Sequence, residues 1–478
     1  MSIFATLQPP ALWNHFADLN AVPRPSKKEE RVIQFIQNYG QSLGLPVHTD
    51  STGNVIIKKP GNRPGPTVCL QSHLDMVHQK NSGTHFDFEA QGIAMVVEDD
   101  WVRAQGTTLG ADNGIGVAAI MALLASKDIP HPPLEALFTI DEETGMTGAK
   151  GLQGGLLEAK YLLNLDTEDD NELTIGCAGG VDVVATGQYT AEKPPAEHEF
   201  QQITLQGLSG GHSGMEIHLG RGNANKLMNR FLLGATERFA VRLARLDGGG
   251  LRNAIPREST ALLAIPQSHQ EAFQTFVAEQ QALYQSEYRG TDPNCSLSSQ
   301  PAESTDVLDS NFQLRLLRSV YAVPNAIHRL SPDVPGLVQT SNNLARVLVK
   351  DGEFSIQCLT RGSVDSEKMD LATAIRCSLE LLGAEVALLG AYPGWTPQPQ
   401  SSIVTLMSSL YQELFHEKPQ VSACHAGLEC GILGKNYPSM EMISFGPNIR
   451  GAHSPDEKVQ ISSVRKFWGF LLATLERI

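Results

Sequence analysis

Thr67-Val68-Cys69-Leu70-Gln71-Ser72-His73-Leu74-Asp75 is the stretch on which the reading of the fold turns. Thr67-Val68-Cys69-Leu70 is a short continuous apolar run. A strand that is apolar on both faces belongs inside a sheet covered on both sides, the habit of parallel strands. An imidazole and a carboxylate, His73 and Asp75, then stand just past its end. Working outward, Val55-Ile56-Ile57, Leu134 to Ile140 and Tyr161 to Leu165 are further runs of strand length. Between them, Gly114 to Ser126 is small and apolar on most sides, which predicts a helix packed against something flat. Ser26-Lys27-Lys28-Glu29 has capping-box spacing ahead of Val32, Ile36 and Tyr39, so a helix is expected to begin there. Strands alternating with helices define an α/β protein, a three-layer sandwich with a mostly parallel central sheet.

The pattern changes at Lys193-Pro194-Pro195, which reads as a linker. Beyond it come an alternating segment (Ile203-Thr204-Leu205), a helix from about Asn225 to Arg238, and a turn around Ala391-Tyr392-Pro393-Gly394-Trp395. The first pattern then returns, with Met442-Ile443-Ser444-Phe445 as a buried strand and Val464, Phe467, Leu471 and Leu475 marking a closing amphipathic helix. The expected organisation is a discontinuous core domain, 1–192 and 390–478, interrupted by an inserted α+β domain over 193–389.

Composition narrows the function. The chain has 478 residues, 41% hydrophobic and 19% charged, with a net charge of −15. That is globular composition, and so acidic a surface repels phosphate backbones, which argues against nucleic-acid binding. Nothing approaches the ~20 continuous apolar residues of a membrane span. The amino-terminal MSIFATLQPPALWNHFADLN lacks the basic and apolar regions of a secretory signal. Seven dispersed cysteines without a CxxC fit reduced thiols in the cytoplasm better than a disulfide framework.

The chemistry lies in acid and imidazole side chains placed just after strand-like runs: His73 and Asp75, Glu142-Glu143, Asp166 and His453, with Asp112 just before the small-residue helix. In open α/β sheets, sites form beyond the carboxyl ends of strands. Singly, each has an ordinary reading: a solvated turn for Glu142-Glu143, an N-cap for Asp112, a loop residue for His453. Jointly, nitrogen and oxygen donors without thiolate suit zinc or a similar divalent cation. Their number exceeds what one cation keeping an open position would use, and fits two cations sharing a bridging carboxylate, about 3.5–4 Å apart.

These residues sit in longer motifs: Ser72-His73-Leu74-Asp75-Met76-Val77, Thr107-Thr108-Leu109-Gly110-Ala111-Asp112-Asn113-Gly114, Glu142-Glu143-Thr144-Gly145-Met146 and Asn164-Leu165-Asp166. Gly210-Gly211-His212-Ser213-Gly214, Asn253-Ala254-Ile255-Pro256-Arg257, His425-Ala426-Gly427-Leu428-Glu429 and Gly451-Ala452-His453-Ser454-Pro455 follow. Together, across essentially the whole chain, they resemble the aminoacyl-histidine dipeptidase branch (cytosolic non-specific, Xaa-His dipeptidases) of the dinuclear-zinc peptidase and amidohydrolase family. The resemblance implies that His73 and Asp166 bind one cation, Glu143 and His453 the other, and that Asp112 bridges them across a cis Asp112–Asn113 peptide. It makes Asp75 the residue that orients His73, and Glu142 the general base that activates a water bridging the metals. The inserted domain becomes a lid whose His212 stabilises the oxyanion, while Asn253 and Arg361 contact the substrate's carboxyl end and Gly427 lies close to its backbone.

The implied activity is hydrolysis of the amide bond of unblocked dipeptides, Xaa-His included, with broad specificity. It requires two divalent metal ions per chain, zinc first and cobalt or manganese as alternatives, in a homodimer formed through the lid. Two rivals stand beside it: an amidohydrolase acting on N-acyl or N-carbamoyl amino acids, and a non-catalytic scaffold that retains the fold.

Overall fold

The apolar run Thr67–Leu70 leads into the strand Val68–His73, buried along its whole length. A computed structural model describes residues 6–478, so Met1 to Ala5 of the stretch read for a leader lie outside the described residues. Val68–His73 pairs in parallel with Leu134–Thr139 on one side and Tyr161–Asn164 on the other, and Glu441–Ser444 extends the parallel set beyond Tyr161–Asn164. These four strands form the centre of an eight-stranded sheet. Antiparallel partners finish it at both sides, through Val55–Lys59 against Leu134–Thr139 and Glu172–Cys177 against Glu441–Ser444. The sheet is therefore mixed, its parallel part confined to the middle where both faces are covered.

Helix Ala111–Ala125 is apolar all round, as a wholly buried helix must be, and packs against Val68–His73 and helix Pro10–Asn20. Its first residues are irregular: Asp112 and Asn113 depart from helical backbone angles, and the Asp112–Asn113 peptide is cis. Helix Ile461–Arg477 buries Val464, Phe467, Leu471 and Leu475 in the same core. The helix expected from Ser26 begins later, at Glu30. Ser26 does not cap it, because Lys27 takes a left-handed backbone (φ +71°) and no helix follows Ser26 directly; the Ser26 hydroxyl donates to Asp75 Oδ2 at 2.8 Å.

The chain divides into two compact units. The first comprises the chain up to Gly176, Trp395–Ala423 and Leu428–Ile478; the second comprises Cys177–Gly394 and Cys424–Gly427. The division falls at Cys177 and after Gly394 rather than at 193 and 389, because the strand Gly179–Gln188 pairs with Glu353–Gly362 and Glu385–Tyr392. The second unit is built on a nine-stranded antiparallel sheet with helices Ala224–Phe239, Gln270–Glu287, Ser310–Ala322 and Asp365–Glu380. No helix among the described residues is long and apolar enough to cross a membrane.

Candidate metal centre

Three adjacent parallel strands deliver most of the site. His73 ends Val68–His73, Glu142 and Glu143 follow Leu134–Thr139 after a left-handed turn at Asp141, and Asp166 follows Tyr161–Asn164. Asp112 enters from the irregular start of the buried helix, and His453 from the loop joining the short paired strands Ile449–Arg450 and Lys458–Gln460. His453 Nε2 lies 3.0 Å from Glu143 Oε2 and 3.3 Å from Asp112 Oδ2. On the other side, His73 Nε2 lies 3.1 Å from Asp112 Oδ1 and 3.4 Å from Asp166 Oδ1. The two oxygens of one carboxylate thus face two different imidazoles. His73, Asp112 and Asp166 each bring a ligating atom within 4.8 Å of the others, as do Asp112, Glu143 and His453.

Electrostatics show a centre short of positive charge. Burial works against a charge on His73, yet Asp166, Asp112 and Asp75 raise it well above the usual imidazole range. Hydrogen bonds to Asp112 and Glu143 push His453 up to about 11. Burial opposes ionisation of Asp112, but His453 and His73 hold it below the usual carboxyl range. Burial drives Glu142 well upward, with Asp166, Glu429 and Glu143 adding to it against His73. Meanwhile Glu143 Oε1 and Asp166 Oδ1 are shielded from water and accept no hydrogen bond. Anionic oxygens without donors fit a cation that hydrogen bonds do not replace, so this donor set suits a pair of divalent metals.

Asp75 organises more than one neighbour. His73 Nδ1 lies 3.1 Å from its main-chain oxygen and 3.4 Å from Oδ1, which leaves Nε2 to face the other carboxylates. The same carboxylate accepts the N–H of Glu142 at 3.0 Å and of Glu143 at 3.3 Å. Of the acids that follow Asp166, Asp169 pairs with Arg450 and Asp170 with Lys466, while Asp166 faces His73. His78 is exposed, edge-on to Phe88.

Sequence reasoning passed over several buried polar residues here. Glu429 takes hydrogen bonds from Gln71 Nε2 and Thr139 Oγ1, both at 2.6 Å, and burial pushes it up to about 7. It stood inside a quoted motif without a role, and only the pairing of distant strands supplies one. Arg24 and Glu457, both buried, carried no local signal beyond Glu457 lying four residues past His453.

The remaining expected residues lie in the second unit. His212 Nδ1 accepts the N–H groups of Gly214 (3.1 Å) and Met215 (3.0 Å), and burial with Arg361 nearby lowers its affinity for a proton. The ring is therefore neutral and carries its proton on Nε2. Ser213 N donates to the main-chain oxygen of Asn253 at 2.8 Å. Arg361 is buried; its Nη1 donates to Tyr392 Oη at 3.1 Å and its Nε has no hydrogen-bond partner. A Cβ on Gly214 would sit 2.2 Å from the oxygen of His425, 3.1 Å from His212 Cε1 and 3.2 Å from Arg361 Nε, so glycine lets these three meet. Gly427 follows His425 at the partly exposed end of the segment.

An α/β sheet with acids and imidazoles converging at its strand ends defines a metal-dependent hydrolase. Residues 69–477 match the model of peptidase family M20/M25/M40, and the chain belongs to that family; it is a metallopeptidase. The cytosol non-specific dipeptidase of Escherichia coli (strain K12) is 42% identical to it, over all of this chain and 99% of that one. A crystal structure of aminoacylhistidine dipeptidase from Vibrio alginolyticus matches with a TM-score of 0.95 and 42% identity, covering 100% of this chain and 98% of the other. The aminopeptidase PepT of Bacillus cereus shares the fold at 16% identity and a TM-score of 0.58, covering 98% of this chain and 99% of its own.

Proposed function

We propose that this protein is a dipeptidase of the cytoplasm, cleaving the single amide of unblocked dipeptides, Xaa-His among them, with two divalent cations in each chain. The observation that carries this reading is Asp112, whose Oδ1 faces His73 while Oδ2 faces His453. In it, His73 and Asp166 hold one cation, Glu143 and His453 the other, and Asp112 spans both. Bound there, the cations would supply a lowered water pKa and polarise the scissile carbonyl. Zinc suits the donors, as do cobalt and manganese.

The chain's own residues do the rest. Glu142 takes the proton of the attacking water and returns it to the leaving amine; its buried carboxyl holds a proton more readily than an ordinary one. Asp75 fixes the ring of His73 and, through the Glu142 and Glu143 amides, the place from which Glu142 acts. His212, neutral with Nε2–H free to donate, offers a hydrogen bond to the developing oxyanion. Arg361 offers its fork to the substrate carboxylate with Asn253 at the same end, and Gly427 lies close to the substrate backbone. The second unit is proposed to close as a lid, in a homodimer. The test is a panel of substrates on metal-analysed protein: Ala-His should turn over and N-acetyl-histidine should not. Fast deacylation with negligible dipeptide cleavage would favour an amidohydrolase, and no turnover of either would favour a scaffold.

A further inference from the structure

The segment that carries Asp112 is gripped from two sides. Glu457 is buried, and its Oε2 accepts the N–H groups of Leu109 (2.7 Å) and Gly110 (3.0 Å) while its Oε1 accepts those of Ala111 (2.7 Å) and Asp112 (3.2 Å). On the opposite side, the buried Arg24 donates through Nη2 to the oxygen of Gly110 at 2.6 Å, and Asn20 Nδ2 donates to that of Leu109 at 3.0 Å. Arg24 Nη1 also reaches the oxygens of Leu74 (3.0 Å) and Asp75 (3.2 Å), the residues that follow His73. Gly110 has φ +71°, and a Cβ there would lie 2.5 Å from Arg24 Nη2, so no other residue fits against this guanidinium without displacement.

Four successive N–H groups on one carboxylate satisfy donors that a buried helix start would otherwise leave unpaired. The Gly110–Ala111 peptide thus lies with its N–H toward the acid and its carbonyl toward the cation, so that both charges hold one peptide unit. Glu457 also closes the loop that bears His453, and its neighbours Lys458 and Val459 pair with Arg103 and Val102, on the strand leading toward Asp112. Glu457 therefore ties Asp112 to His453, as Arg24 ties Asp112 to the His73 segment.

We propose that Glu457 and Arg24 are positioning residues that hold the two oxygens of Asp112 at their separate stations, Glu457 fixing the half with His453 and Glu143, and Arg24 the half with His73 and Asp166. This rests on the two-cation reading above. Zinc titration of metal-free protein tests it. Glu457→Gln turns one oxygen into an NH₂ that faces N–H donors, and should weaken one of two zinc equivalents by about 10–100-fold while leaving the other unmoved. Glu457→Asp, which keeps both oxygens, should recover part of that loss. Arg24→Lys should weaken the other equivalent. Wild-type constants for both equivalents in Glu457→Gln would overturn the proposal. Should the variants not fold, hydrogen exchange in metal-free wild-type protein decides: the amides of residues 109–112 should be protected, and rapid exchange there would overturn it. Failure of wild-type protein to bind two equivalents would sink the two-cation reading, leaving exchange to judge the clamp alone.

Discussion

The two imidazoles among the acids of the first unit and two of the second are driven in opposite directions. In the first unit, hydrogen bonds to carboxylates raise His453 to about 11, and acids lift His73 well upward against its burial. In the second, burial and Arg361 lower His212 and press His425 down to about 3. The residue type is the same; the surrounding charge differs. Acids around two imidazoles favour cations, whereas a buried guanidinium beside rings of lowered proton affinity favours an anion. Under the proposed function, the first would serve the scissile carbonyl and the second the carboxyl end of a dipeptide.

Breaking the first region should cost most. Glu142→Ala is expected to keep its metals and lose about 10²–10⁴-fold in kcat, because proton transfer goes while ligation stays; near-normal kcat alongside full metal content would remove Glu142 from its role. Breaking the second should cost less and more selectively. Arg361→Ala should lower kcat/KM for dipeptides with a free carboxylate by roughly 10–100-fold, the worth of a charge-assisted hydrogen-bond pair. Amidated dipeptides, measured side by side, should barely respond, and equal losses on both would argue against carboxylate recognition. Tyr392→Phe sharpens this: it removes one hydrogen bond to Arg361, so a rise of roughly five-fold in KM with little change in kcat is expected.

The last effect is on stability rather than on activity. Unfolded His425 takes a proton below about pH 6.5, whereas the folded ring resists until about 3. The unfolded state therefore binds more protons across that window, and stability from this group falls as pH falls from 6.5 toward 3, by at most about 1.4 kcal/mol per pH unit. Thermal melts of wild-type protein and His425→Gln at pH 7 and pH 5 should show the variant losing less Tm on acidification. Parallel losses would mean that His425 is not the neutral, buried ring described.

The meeting of His73, Glu143 and Asp166 was legible because each follows a run apolar on both faces, and parallel strands put their carboxyl ends on one edge of the sheet. Asp112 and His453 were legible less directly: Asp112 enters from the start of the buried helix, and His453, read as following Met442–Phe445, comes from a loop between two further short strands. Glu457, Arg24 and Glu429 were not legible: each acquires meaning only from groups brought to it from far along the chain, backbone N–H and carbonyl groups for Glu457 and Arg24 and the side chains of Gln71 and Thr139 for Glu429. Ser26 misled for the same reason. Its spacing to Glu29 imitates a cap, but the backbone turns left-handed at Lys27, and the hydroxyl is spent on Asp75, a partner far along the chain. The boundary of the inserted unit was placed late because Lys193-Pro194-Pro195 looks like a linker, while the sheet of the second unit already includes Gly179–Gln188.

Anomalous diffraction from crystals of zinc-loaded protein tests the central claim most directly. Two peaks should appear about 3.5–4 Å apart, one beside His73 and Asp166, the other beside Glu143 and His453, with one oxygen of Asp112 on each. A single peak, or a pair that Asp112 does not join, would contradict it.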